Sequence, residues 1–261
     1  MNHLRAGINR AMLAPFAAVA LLGMTGHERL AAQSGGRGFL FGSPRATLTV
    51  KGGVSLPRAA SGGAEQSLWD LTREELTVET PDLRGASIIG ELAVRASERL
   101  DITLAVGYSA SETRSEFREF VGTDDLPIEQ TTRFTTTPVT LGVKAYLFER
   151  GRSLGSLAWI PRTWNPYVGV AGGLVSYSFR QHGEFVDYET YDIFQDDYYS
   201  RDRAPTVHFL GGMEMSVNRH VLLVGEARYG FASAPLSTDF VGFPDLDLAG
   251  FQVTAGISLR W

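Results

Sequence analysis

The densest run of chemically active side chains is residues 181–204, QHGEFVDYETYDIFQDDYYSRDRA. Seven carboxylates (Glu184, Asp187, Glu189, Asp192, Asp196, Asp197 and Asp202) stand among six aromatic rings (Phe185, Tyr188, Tyr191, Phe194, Tyr198 and Tyr199). Clustered carboxylates suit a hard divalent cation such as Ca²⁺ or Mg²⁺. Aromatic rings favour an adhesive or receptor surface. The same composition also suits a solvated hairpin that prolongs two strands. The D-x-D-x-D-G order of a dedicated calcium loop is absent. A second set of ionisable residues is spread along the chain: Lys51, Glu91, Arg95, Lys144, Glu214, Glu226, Arg228 and Arg260. Each lies in a stretch whose alternate positions are apolar.

Those stretches are the elements that must position the charges. Residues 250–261 place Phe251, Val253, Ala255, Ile257, Leu259 and Trp261 on one face, with Gln252, Thr254, Gly256, Ser258 and Arg260 on the other. Residues 46–56, 87–96, 101–111, 138–148, 205–217 and 220–231 alternate in the same way, and residues 165–180 form a further strand of less definite phase. Period-two alternation gives each strand one apolar and one polar face. A soluble sandwich or barrel hides the apolar face; a transmembrane barrel turns it to lipid.

Three features favour the second arrangement. The polar faces mix small residues with full charges, which suits the narrow interior of eight strands. Links are tight near 97–100 and 218–220 but long after the first, third, fifth and seventh strands, matching short periplasmic turns and long outer loops. Aromatics gather near strand ends (Phe148, Trp164, Tyr167, Tyr177, Phe179, Tyr229, Phe231, Phe251 and Trp261), where membrane girdles form. Unpaired backbone is not tolerated in hydrocarbon, so strands that cross it must close into a ring. The expected fold is an all-β, eight-stranded, antiparallel, up-and-down transmembrane β-barrel over residues 33–261, with both ends on the periplasmic side.

Residues 1–32 read as a signal peptide. Arg5 and Arg10 precede an apolar core at 11–24, and Leu30-Ala31-Ala32 offers a small-residue exit. A short anchor or buried helix is the alternative. The 261 residues contain no cysteine, which excludes disulfide and thiolate chemistry, and a net charge of −5 gives no support for a nucleic-acid partner. No cofactor motif, phosphate loop or zinc spacing is present. Two links carry elements of their own. In residues 67–78, Ser67 and Asp70 have cap-like spacing ahead of Leu68, Leu71, Glu75 and Leu76, giving a short helix over one barrel end or an irregular loop. Residues 149–164 are long for a periplasmic turn, and Trp159, Ile160 and Trp164 suit the headgroup layer.

The export segment, the eight alternating stretches, NPYVGVAGG at 165–173 and the closing strand ending in Trp261 together resemble the small bacterial outer-membrane barrels: OmpW-like, OmpA-barrel-like and opacity-type porins. That resemblance implies several things. The location is the bacterial outer membrane. The partners are its lipid and lipopolysaccharide; on the cation-capture reading of residues 181–204, bound cations would bridge the loop to the latter. Phe251, Val253, Ile257, Leu259 and Trp261 are the signal read by the barrel-assembly machinery, although phenylalanine is the usual last residue. A monomer with a structural or surface-interaction role and no enzymatic activity is expected, its lumen filled by the paired charges. Passive passage of small apolar solutes is the alternative. A lipid A-modifying enzyme is the third reading: His208, Glu214 and Ser216 share one face, but His208 lacks a serine at the spacing such enzymes use.

Overall fold

The computed structural model describes residues 38–60, 66–122, 125–155 and 158–261; the expected signal peptide lies outside them. Eight long strands form one closed antiparallel ring: β1 (Ala46–Pro57), β2 (Gly85–Arg95), β3 (Leu100–Val121), β4 (Pro127–Tyr146), β5 (Trp164–Val186), β6 (Ile193–Ser216), β7 (Val221–Phe231) and β8 (Gly250–Arg260). Each strand pairs with its neighbours in sequence, and β8 returns to β1 through Val253 opposite Val54 and Leu259 opposite Leu48. The up-and-down ring therefore leaves no open edge, which is what a backbone in hydrocarbon requires.

The alternation is oriented as a membrane demands. Val50 (55% exposed), Leu141 (61%) and Ile257 (56%) point out of the ring, while Lys51 (0%) and Lys144 (1%) are sealed inside it. A water-soluble protein would reverse that choice, because apolar area gains by leaving water and an isolated charge loses. Among the described residues, no helix is long and apolar enough to cross a membrane; the strands do so.

All eight expected strands are present, and β3 to β6 run much further than anticipated. The expected long loops after β3 and β5 shrink to residues 122–126 and 187–192. Most of 181–204 is thus a hairpin standing above the barrel, the third of the three readings of that segment. Its prolongation was hidden because its inward positions carry few apolar residues to mark the period.

Above the membrane the four long strands, together with the links after β1 and β7, form a crown with a core of its own. Helix α1 (Leu68–Glu75) closes it. Ser67 caps the helix: its Oγ accepts from Asp70 N at 3.1 Å while Asp70 Oδ2 accepts from Ser67 N at 3.2 Å. This reciprocal pair satisfies two of the free N–H groups at a helix start. The helix buries Leu68, Trp69 and Thr72. The Trp69 ring stands edge-on to Phe134 and Phe179 at 5.3 and 5.4 Å, and its Nε1 donates to Asp247 O at 3.1 Å. Phe179 in turn meets Phe240 at 5.6 Å.

Two expectations about aromatics need correction. Tyr167, Tyr177 and Phe179 were placed in the lipid girdles, but all three are buried: Tyr167 in the lumen, the other two in the crown. Their parity along β5 is the inward one. Trp159 was placed among headgroups and is buried too. Residues 149–164 form a hairpin of strands Gly151–Leu154 and Ala158–Pro161, joined by Leu40–Phe41. It tucks Trp159 under the Arg260 guanidinium, 5.2 Å from the ring centre. Ile160 and Trp164 do face outward.

Candidate functional site

The strand parity delivers a knot of charge to the middle of the barrel. Lys51 on β1 donates to Glu91 on β2 at 3.1 Å and to Glu226 on β7 at 2.8 Å. Lys144 on β4 bonds Glu91 and lies 3.5 Å from Glu226. Arg228, two residues along β7, reaches Glu226 at 3.0 Å and Glu91 at 3.7 Å. The Tyr167 hydroxyl donates to the second oxygen of Glu226 at 2.8 Å, and its ring lies 4.5 Å from Lys144 Nζ. Room for that ring exists because residue 212 is glycine; a Cβ there would come within 2.6 Å of the tyrosine oxygen.

A second layer sits toward the short turns. Arg150 binds Asp101 at 2.6 Å, and the Tyr146 hydroxyl donates to Glu214 at 2.9 Å and to Asp101 at 3.3 Å. The two layers together hold four basic side chains (Lys51, Lys144, Arg150, Arg228) and four carboxylates (Glu91, Asp101, Glu214, Glu226), so the plug is neutral. Buried charges persist only when paired and hydrogen-bonded, and here each one has at least one polar partner.

Six of the eight expected lumen charges enter these two layers. Arg95 and Arg260 do not. Arg95 donates to Ser97 O at 3.2 Å, and Arg260 to Arg219 O and Asn218 O at 2.9 and 3.1 Å, so both cap tight turns at the lower rim. Asp101, Arg150, Tyr146 and Tyr167 complete the plug. Asp101 and Tyr146 were legible, since they share parity with Thr103 and Lys144. Tyr167 was obscured by the glycines that blur the phase of β5. Arg150 folds back from a hairpin, and nothing local in the sequence announces that. The expected assembly residues Phe251, Val253, Ile257, Leu259 and Trp261 form a continuous outward stripe on β8, and the Trp261 backbone pairs with Ala46.

His208, Glu214 and Ser216 share the inner face but do not form a relay. His208 Nε2 meets Thr206 Oγ1 at 3.1 Å, Glu214 is held by Tyr146, and Ser216 Oγ donates to Arg162 O at 2.8 Å. His208 instead fills space: a Cβ on Gly230 would strike its ring at 2.7 Å.

The acidic segment forms the flank of the crown. Arg180 Nε donates to Asp197 at 2.6 Å across the hairpin and holds that carboxyl below its usual range. Tyr198 turns inward, edge-on to Phe185 at 4.7 Å. No group of three His, Cys, Asp or Glu among the described residues is arranged to hold a metal ion. Burial pushes the Glu75 carboxyl at the end of α1 up, partly offset by a hydrogen bond from Tyr188.

No protein-family model matches the sequence, and no curated protein does. Solved structures similar to it include Neisserial surface protein A (13% identity, 84% of this chain and 98% of that one, TM-score 0.43) and the outer membrane protein OprG from Pseudomonas aeruginosa (14%, 85% and 99%, 0.44). The outer membrane protease OmpT from Escherichia coli is similar over 86% of this chain and 98% of its own at 7% identity, with a TM-score of 0.43. At such values these likenesses carry no function to this chain. The closed ring, the outward apolar band and the charged interior are those of a small eight-stranded transmembrane β-barrel.

Proposed function

We propose that this protein is a closed-lumen barrel whose role is structural and interactive, exercised at the outer crown. The neutral plug carries the reading. Lys51, Glu91, Lys144, Glu226 and Arg228 interlock across the lumen from four different strands, and opening an aqueous path would separate charges that are held by contact. The Trp69 core closes the barrel from above, and the Trp159 hairpin lies below. In planar bilayers the purified full-length chain is expected to give no stable single-channel steps; reproducible steps would overturn the closed-lumen reading.

The alternative, passage of small apolar solutes, is favoured by one observation. A cavity of about 250 Å³ lies beneath α1, with Leu68, Leu76, Phe185 and Phe240 among its walls. Equal uptake of a labelled alkane by vesicles with and without the protein removes that reading. Lipid A mass spectra that change on expression would revive an enzymatic one, against which the separation of His208, Glu214 and Ser216 counts. The outward stripe of β8 serves in this proposal as the assembly signal, and lipopolysaccharide is the neighbour of the crown's lower wall.

A further inference from the structure

One flank of the crown opens outward where aromatic rings continue its core. A cavity of about 500 Å³ opens between the end of α1, the top of β3 and the turn after β5. Phe120 forms one of its walls. Three rings surround it: Phe117 at 6.4 Å and 79°, Tyr188 at 5.7 Å and 74°, and Tyr191 at 6.2 Å and 41°. All four rings line the cavity.

Three carboxylates share that space: Glu74, Glu75 and Glu119. Glu74 accepts from Gln66 at 2.8 Å. Among the described residues, none of the three is in an ion pair and no lysine or arginine lines the cavity. Some other crown carboxylates are matched: Glu129 with Arg114, Asp197 with Arg180, Asp247 with Arg58. Glu74 and Glu75 also end α1, where the helix dipole adds negative potential. The cavity is thus lined by carboxylates and aromatic rings and, among the described residues, holds no counter-ion.

We propose that this cavity binds a small organic cation of the quaternary-ammonium class. The chemistry separates that ligand from others. A hard metal ion demands a shell of six or more oxygens, and the three carboxylates are not arranged to hold one. A diffuse cation needs no such shell and is attracted by ring faces. A ligand carrying its own phosphate or carboxylate would meet the three glutamates. The inference rests on the reading of the crown as an interactive surface.

The test uses the full chain folded in dodecyl maltoside, a neutral detergent, titrated calorimetrically with choline. Two controls accompany it: 3,3-dimethyl-1-butanol, the uncharged carbon twin of choline, and phosphocholine. Choline is expected to bind saturably, the neutral twin at least tenfold more weakly, and phosphocholine more weakly than choline. Phe120→Ala is expected to weaken choline by about threefold to thirtyfold, whereas Tyr188→Phe, which keeps the ring, retains binding. Heat-modifiable gel mobility verifies that each variant is folded; if Phe120→Ala is not, Glu119→Gln on the rim decides by a severalfold loss. Absence of saturable choline binding, equal binding of the neutral twin, tighter binding of phosphocholine, or an unaffected folded variant overturns the proposal. Channel steps in bilayers would remove the closed lumen without touching this result, and a failed titration would leave the closed lumen standing.

Discussion

Strand β4 passes through two regions that solve opposite problems with one backbone. In its membrane half, Thr140, Gly142 and Lys144 face inward while Val139, Leu141 and Val143 face lipid. In its crown half, Ile128, Gln130, Thr132 and Phe134 face inward while Glu129, Thr131 and Arg133 face water. The parity never changes; even-numbered residues point inward throughout. What inverts, across Thr135–Thr137, is the chemistry assigned to each face. β5 does the same, with Ala171 inward opposite lipid-facing Val170 below, and Phe179 inward with Arg180 outward above. The lesson is that a strand fixes only which residues share a side. The solvent on each side decides which chemistry is tolerated there, so the point of inversion marks the outer membrane boundary.

The two regions also use charge differently. In the lumen, ion pairs are sealed from water and interlocked, so one missing partner strands another charge. On the crown wall, pairs such as Arg133 with Glu112 at 3.9 Å stand in solvent, and exposed pairs of this kind contribute little.

The contrast breaks most sharply at Glu226, which touches Lys51, Lys144, Arg228 and Tyr167. Glu226→Gln is expected to lower unfolding stability in lipid vesicles by about 3–5 kcal/mol, read by urea titration, and adding Lys51→Met should recover part of the loss because a stranded cation is removed with it. An unfolding stability left unchanged by Glu226→Gln would mean that the plug is not what stabilises the lumen. Next in size is the face rule: Leu141→Lys is expected to cost about 2–4 kcal/mol, whereas Arg133→Leu, on the same face of β4 above the membrane, should change unfolding by no more than about 1 kcal/mol. Equal effects would erase the inversion point.

The smallest effect belongs to Glu75. Burial raises its carboxyl above the ordinary 4.5, so the folded crown favours the protonated form. Its contribution is fully present below about 4.5 and is lost as pH rises through the raised value. Amide exchange across α1, corrected for intrinsic rates, should therefore be slower at pH 4 than at pH 7, and Glu75→Gln should narrow that difference. A helix equally protected at both values in the wild type would contradict it.

Much of the architecture is legible in the sequence. Period-two alternation located the barrel strands and oriented the faces of all but β5, and the spacing of Ser67 and Asp70 offered α1 as one of two readings of that link. The crown was harder to see because its inward positions alternate large rings with threonine and glutamine, a weak periodic signal. Arg95 and Arg260 show the limit from the other side: their parity is correct, yet height along the barrel axis places them beside turn carbonyls rather than carboxylates. Nothing near Trp159 or Arg150 in sequence indicates that a hairpin carries both back beneath the barrel.

The amino-acid sequence alone determined which side chains share a face, because that depends on a two-residue repeat in the backbone. Only the tertiary structure decided which charges meet, which rings wall the cavity beside α1 and which aromatics leave the lipid. Those outcomes depend on register around a closed ring, where Lys51 and Glu226, 175 positions apart, come within 2.8 Å. Register is a property of the closed ring, and no short window of sequence contains it.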